Sequence, residues 1–471
     1  MSIIVNRYGL PKREIAHLIF SNESNKADDS LIQRIVMPFH QNGTFFIGER
    51  ANNPPYIRGE KNEGFLPWAR EVTLQDLELL EMSKELSGIS LSEGDRVLVA
   101  DAVANSLTYS DVDGVPIADK IPNQNYIDYV RRSIGLLLFN DVNKEFDSEK
   151  EYNSLGRAVV LSVVEKLEKE KLENLMVYAI LAGVIGLDIK CSFCAASTFD
   201  RKGSIWLGCY DSHDSAVEGV ILDLRRRISQ FDTLLFDWNK YHSLVLENPC
   251  MLTFFPDDIP ETIFDLYQLQ KQMLFNPQLR VQVIPRGGRF HNDASFEDTM
   301  GLLDEPIFSD LGRFMNEGRL VVSPHGPKNG GLDLTKLSRE AAELVLASDV
   351  LYIKGSRSYE LAATGIRIPT FFAQTVSREF SESVIGVDAN KMLPALQYVH
   401  AFPGFWGFRN RNNNEGWTSD MTAIQSSRFI QSAPFARYAD QYGGVDALSL
   451  RIMDRSIQEG IPPHLIELCI L

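Results

Sequence analysis

An apolar run meets two adjacent acids in the sequence Met251-Leu252-Thr253-Phe254-Phe255-Pro256-Asp257-Asp258-Ile259-Pro260. The apolar part is typical of a short buried strand, and Pro260 suits the first turn of a helix. Asp257 and Asp258 would then lie at the carboxyl end of the strand, where open α/β sheets bind ligands. Two crowded carboxylates repel each other, and a bound cation relieves that repulsion. The alternative is that one acid only caps the helix, because Asp is a favoured N-cap residue.

The composition is that of a globular protein. The chain has 471 residues, of which 44% are hydrophobic and 23% charged, which is near the average for soluble proteins and allows two or three domains. With 47 basic and 63 acidic residues the net charge is -16, which disfavours binding to nucleic acid. No stretch predicts a membrane span or a signal segment, so we expect a cytoplasmic location and no membrane partner. The oligomeric state is left open.

The distribution of apolar residues predicts three parts. Residues 1–65 are rich in Asn, Gly and Pro and predict a loop-rich N-terminal segment. Residues 66–230 predict a mainly helical domain, with helices over Thr73–Leu86 and through most of Tyr126–Leu187, and a possible strand over Arg96–Ala100.

Residues 231–471 predict an α/β domain, because short apolar strands alternate with amphipathic helices. The predicted strands are Met251–Phe255, Val281–Ile284, Leu320–Val322, Val350–Ile353 and Thr370–Phe372. The predicted helices are Glu261–Met273, Ser338–Ala347 and Tyr359–Thr364. This alternation is typical of a three-layer α/β/α, Rossmann-like parallel sheet.

The cysteines do not predict a disulfide framework, since there are five of them in a long chain. Cys191 and Cys194 form one CxxC pair that could serve metal binding or redox chemistry. Without a second pair at zinc-site spacing, buried inert thiols are the favoured interpretation.

Polar residues follow four of the predicted strands, and in a parallel sheet these four loops meet at one edge, as an active site requires. The first loop carries Asp257, Asp258 and Glu261, the second Arg286, Arg289, Asn292 and Asp293, the third His325, and the fourth Lys354 and Arg357. Arg286 and Arg289, separated by two glycines, could form a basic rim for an anion or a solvated turn. His325 could be an acid, a base or an ordinary loop histidine.

The order of these motifs resembles that of the DUF89 family, which includes damage-control phosphatases and acidic residue methyltransferase 1. The family's strand followed by Asp-Asn-Ala-Gly-Glu, apolar residues and an Asp is matched by Asp257, Asp258, Glu261 and Asp265. Its strand, Pro, Ser-Asp and a further Asp in the next helix are matched by Pro285, Asn292, Asp293 and Asp298. Its strand ending in Lys-Gly, with a later Asn, an aromatic residue and Glu, is matched by Lys354, Gly355, Ser358, Tyr359 and Glu360. The resemblance covers about residues 231–375.

The resemblance implies a metal-dependent phosphomonoester hydrolase acting on a small phosphorylated metabolite, such as a sugar phosphate or a damaged nucleotide or cofactor. It implies a divalent metal at Asp257, Asp258 and Asp293, with Mn or Mg favoured by oxygen ligands and Co or Ni tolerated in the family. Those three aspartates and Lys354 are the expected catalytic residues, with Lys354 on the phosphate. The expected substrate-binding residues are Glu261, Arg286, Arg289, Asn292, Lys354 and Arg357.

The chain departs from the family pattern at four positions. Asp258 replaces Asn, Pro260 replaces Gly, Asn292 replaces Ser and Ser358 replaces Asn. Asp258 adds a negative charge, which should bind metal more tightly and attract a phosphate dianion less, and Pro260 removes a backbone donor. Two alternatives on the same fold therefore stay open, a carboxyl methyltransferase-like transferase and a binding protein without turnover.

Overall fold

The computed structural model shows a mixed helix and strand fold built on a six-stranded sheet. The structure describes residues 26–36, 69–71, 73–74, 77, 90–107, 126–139, 156–186, 205–206, 212–229, 236–288, 293–326, 332–355, 358, 366–376 and 393–399.

The strands form one large sheet and one small pair. In chain order they are β1 (Ile185–Gly186), β2 (Ile205–Trp206), β3 (Cys250–Phe255), β4 (Leu279–Val283), β5 (Leu320–Val322), β6 (Val350–Lys354), β7 (Thr370–Val376) and β8 (Leu393–Val399). β1 pairs with β2, and the others follow the order β5-β4-β3-β6-β7-β8. Among the described strands, β8 alone runs antiparallel to its neighbour. The predicted parallel sheet and its five strands are confirmed, and β8 was not predicted.

The strand order reverses between β3 and β6. The chain runs from β3 outward through β4 to β5, then returns to place β6 on the other side of β3 and continues to β7. Such a reversal is a topological switch point, where the connections leave to opposite faces and open a crevice at the carboxyl ends of the two strands. The loops that flank this crevice begin at Pro256, after β3, and at Gly355, after β6.

Helices precede the sheet in the chain and connect its parallel strands. They are α1 (Asp29–Ile35), α2 (Glu93–Ser106), α3 (Tyr126–Phe139), α4 (Leu172–Leu181), α5 (His213–Ser229), α6 (Trp238–Tyr241), α7 (Ile259–Phe275), α8 (Phe296–Leu303), α9 (Ser309–Asn316) and α10 (Arg339–Leu346). Residues 156–165 are also helical, and single turns of 3-10 or π helix occur at Ala182–Val184, His242–Leu246, Pro306–Phe308 and Leu334–Lys336. Among the described residues, no helix is both long and apolar enough to cross a lipid bilayer.

The helices predicted over Glu261–Met273 and Ser338–Ala347 are confirmed as α7 and α10. The described part of Tyr126–Leu187 is mainly helical, as predicted. In the helix predicted over Thr73–Leu86, the described residues 73, 74 and 77 are helical. The helix predicted over Tyr359–Thr364 lies outside the described residues.

The strand predicted over Arg96–Ala100 is wrong, because these residues lie inside α2. A short apolar run is compatible with the periodicity of either a strand or a helix. Here the residues that precede it determine that a helix forms. Ser92 and Asp95 form a capping box, in which each side chain bonds the other residue's backbone N–H and so starts a helix. Val99, Ala100, Val103 and Ala104 are buried, which is the spacing of a helix face.

The core joins the sheet to helices from the preceding part of the chain. α7 is buried along nearly its whole length, and α4 packs against it. One continuous apolar cluster contains residues of α4, α5, α7 and the strands β3, β4 and β6. Residues on both sides of position 230 therefore share one core. The proposed boundaries at 65 and 230 stay predictions.

Cys250 behaves as an inert thiol. It is buried in β3, and burial, followed by the charge of Asp349, raises the pKa of its thiol to about 12. Cys191 and Cys194 lie outside the described residues.

Candidate metal centre

The three predicted metal ligands converge at the switch point. One carboxylate oxygen from each of Asp257, Asp258 and Asp293 lies within 4.8 Å of the others. Backbone pairing fixes this arrangement, since Ala294 N donates to Asp257 O at 2.7 Å and Asp258 forms a β-bridge with Asp293. A compact set of carboxylate oxygens is what a hard divalent cation binds, so the residues present fit such an ion.

Helix capping does not account for the Asp258 carboxylate. Asp258 has the extended backbone of an N-cap residue at the start of α7, but its side chain makes no capping hydrogen bond. Its carbonyl instead accepts hydrogen bonds from Thr262 N at 2.9 Å and from Thr262 Oγ1 at 2.8 Å. The positive end of the α7 dipole therefore points at the aspartates.

Arg286 is buried against two of the predicted metal ligands. Its Nε donates to Asp293 Oδ2 at 2.9 Å and its Nη2 to Asp257 Oδ1 at 3.1 Å, with only 1% of the residue exposed. The backbone holds it there, because Arg286 N donates to Ala294 O and Phe296 N donates to Arg286 O. The side chain is thus a counter-ion within the acidic cluster rather than part of an exposed basic rim. The partner predicted for that rim, Arg289, lies outside the described residues.

Lys354 lies at the end of β6 and is completely buried. Its Nζ donates to Ala179 O at 2.9 Å and lies 3.3 Å from Glu261 Oε2 and 3.6 Å from Asp265 Oδ1. Ala179 belongs to the last turn of α4, so the ammonium also stabilises the negative end of that helix. The predicted contact between Lys354 and a phosphate stays a prediction, and the ammonium faces these three groups.

Burial dominates the protonation of this cluster. It raises the pKa of Glu261 to about 8 and that of Asp265 to about 7, and the charge of Lys354 opposes both shifts. Burial would lower the pKa of Lys354, but Asp265 and Glu261 outweigh it and the pKa is raised. The lysine therefore keeps its proton while the two carboxyls compete for one near neutral pH.

Two glycines fit around the carboxylates. A β carbon on Gly355 would overlap Asp257 Oδ2, and one on Gly183 would overlap Glu261 Oε1. The sequence interpretation included Gly355 but missed Gly183 and Ala179. In the sequence, Gly183 stands out only as a glycine directly after an apolar helix. That position does not reveal its contact with Glu261 or the contact of Ala179 with Lys354.

His325 is a buried neutral residue beside Arg286. Burial, and then the charge of Arg286, hold the pKa of His325 well below its usual value. Neither ring nitrogen has a hydrogen-bond partner among the described residues, and the same is true of Ser323 Oγ. The loop after β5 therefore brings a neutral histidine side chain close to the Arg286 guanidinium.

The remaining residues lie in different parts of the chain and differ in their contacts. Asp298 forms a capping box with Ser295 at the start of α8, a structural role. Ser358 is buried. Arg225, Arg226 and Arg227 lie on α5 and pair with Glu170 or Asp223. Asn292, Arg357, Tyr359 and Glu360 lie outside the described residues.

No protein-family model and no curated protein matches the sequence. Among solved structures, the chain is similar to a DUF89 family protein from Pyrococcus horikoshii, with a TM-score of 0.46 and 18% identity over 70% of this chain and 96% of that one.

Proposed function

We propose that the chain is a metal-dependent phosphatase of the DUF89 type, which hydrolyses a phosphomonoester of a small metabolite. The observation that carries this proposal is the charge at the switch point. Asp257, Asp258 and Asp293 bring three carboxylates together, and Arg286 offsets one of them. The two negative charges that remain would repel a phosphate dianion, so a divalent cation is required before such a substrate can bind.

The three aspartates would hold the cation, Mn or Mg. When bound, the cation supplies charge neutralisation and polarises the phosphoryl oxygens. The N-terminus of α7 adds a partial positive charge at the same place. Direct contact of Lys354 with a phosphate requires its Nζ to leave Ala179 O and Glu261.

Glu261 is the carboxyl suited to orienting a substrate oxygen or a water molecule. It holds a proton near neutral pH because burial raises its pKa to about 8, and the charge of Asp257 adds to the shift. The proposal includes a sugar phosphate or a damaged nucleotide or cofactor as substrate, and a cytoplasmic location without nucleic-acid or membrane partners.

A panel of phosphate esters tests this function. The purified full chain is assayed in EDTA and then with Mn²⁺, Mg²⁺, Co²⁺ or Ni²⁺, and phosphate release is expected only with a cation. Asp293→Ala should abolish release. Asp298→Ala is the matched control, since it removes a nearby aspartate that caps α8, and it should keep activity while losing about 1 kcal/mol of stability.

Two results would contradict a phosphatase. Cation binding without hydrolysis of any ester would point to a binding protein. Methyl transfer from S-adenosylmethionine to a carboxyl acceptor, without phosphate release, would point to the transferase alternative.

A further inference from the structure

We propose that Arg286 is an internal counter-ion that competes with the divalent cation for Asp257 and Asp293. It stabilises the site while no cation is bound and lowers the site's affinity for the cation. This inference rests on the metal site of the proposed function, but it does not require that the site hydrolyse phosphate.

The first support is the position of the guanidinium. It bridges carboxylates from two different loops, with Nε on Asp293 and Nη2 on Asp257. These are two of the three residues whose carboxylate oxygens converge within 4.8 Å. In the cation-free protein the guanidinium therefore supplies positive charge where the three carboxylates would otherwise repel one another.

The second support is that Arg286 is fixed in place. The residue is 1% exposed, and its backbone N–H and carbonyl both pair with residues of the 294–296 segment. A buried guanidinium cannot shed its charge by losing a proton. It therefore repels any cation that enters the same cluster, and that repulsion is strong at short range in a partly desolvated site.

The third support is the match between Arg286 and Asp258. Asp258 supplies the third negative charge of the cluster, and Arg286, which pairs with Asp257 and Asp293, offsets one of the three. The cluster is left with the charge that one divalent cation neutralises. Removing the charge of Arg286 alone should raise the affinity for the cation, and removing that of Asp258 alone should lower it. Removing both charges should return the affinity to about the wild-type value.

Three variants test this: R286M, D258N and the double variant. Mn²⁺ affinity is measured by calorimetry, and thermal unfolding is followed in EDTA and in saturating Mn²⁺. R286M should bind Mn²⁺ at least about tenfold more tightly than the wild type, D258N at least about tenfold more weakly, and the double variant about as well. R286M should unfold at a lower temperature in EDTA, and Mn²⁺ should remove most of that difference.

R319M is the matched control for loss of a largely buried arginine. Arg319 Nη2 donates to Met273 O at 2.8 Å, away from the aspartates. R319M should lose stability that Mn²⁺ does not restore, and its affinity for Mn²⁺ should not change.

The inference is overturned if R286M binds Mn²⁺ no more tightly than the wild type, or if its instability persists in saturating Mn²⁺. It is also overturned if neither R286M nor R286Q folds with Mn²⁺ present, because the cation would then be unable to replace the guanidinium. If R286M binds Mn²⁺ and the wild type does not, the counter-ion is supported and the proposed metal-dependent activity of the native chain fails. Equal binding by both refutes the inference and leaves the proposed function standing.

Discussion

Gly355 and Asp257 face each other across the crevice between β6 and β3. Gly355 has a φ of +88°, and a β carbon at this position would overlap Oδ2 of Asp257. Its N–H donates to Ala373 O in β7 at 3.1 Å, so moving the residue away from Asp257 would break a bond of the sheet. Position 355, at the end of β6, therefore requires glycine because Asp257, which follows β3, occupies the space that a β carbon would need.

Gly355→Ala should disrupt both the fold and the site. The left-handed backbone and the overlap with Asp257 together should cost about 2–4 kcal/mol of unfolding free energy, measured by urea denaturation in EDTA. The displaced carboxylate should also weaken Mn²⁺ binding.

Gly318→Ala measures the cost of the left-handed backbone without the overlap with Asp257. Gly318 has a φ of +69°, and a β carbon there would meet no atom of the described residues within 4 Å. This change should therefore cost only about 1 kcal/mol and leave Mn²⁺ affinity unchanged. Equal losses in the two variants would show that the contact with Asp257 has no energetic weight.

The sequence predicted the sheet well because its strands are buried on both faces. β3 and β6 read as continuous apolar runs, and the residues after a parallel strand must emerge at the same edge of the sheet. The loops that carry Asp257, Asp258 and Asp293 were therefore predictable at one edge of the sheet, whereas the grouping of these three residues as metal ligands came from the family resemblance.

The directions of the basic side chains were not predictable in the same way. Arg286 and Lys354 follow β4 and end β6, but a strand end can send a long side chain either to solvent or inward. Lys354 turns inward because α4 brings Ala179 O within 2.9 Å, a contact across 175 residues. A partner so distant in sequence leaves no local pattern, so the contact between Lys354 and Ala179 was not predicted.

Lys354→Met should strongly destabilise the protein. Removing the ammonium leaves Glu261 and Asp265 buried without a counter-charge and Ala179 O without its donor, which costs about 3–5 kcal/mol. Denaturation in EDTA at pH 7 measures the loss.

Arg339→Gln serves as the comparison for an exposed ion pair. Arg339 pairs with Glu343 four residues on, and its side chain is 71% exposed, so the change should leave the unfolding free energy close to that of the wild type. If Lys354→Met were as mild as this, the buried cluster would not be stabilised by its lysine.

Glu261 should make the stability of the cation-free protein fall as pH rises. Burial raises the pKa of Glu261 from 4.5 to about 8, so the folded protein binds this proton more tightly than the unfolded chain does. Its contribution to stability is therefore fully present below pH 4.5 and is lost as pH rises through about 8. Asp265 acts in the same direction, with a pKa raised to about 7 by burial.

Glu261→Gln removes the group with the larger pKa shift. The charge of Lys354 then pairs with Asp265 alone. The loss of unfolding free energy between about pH 5 and pH 8 should shrink to about half or less of the wild-type loss. Chemical denaturation at several pH values in EDTA measures this loss. A Glu261→Gln protein with an unchanged slope would show that Glu261 titrates in the folded state as it does in the unfolded chain.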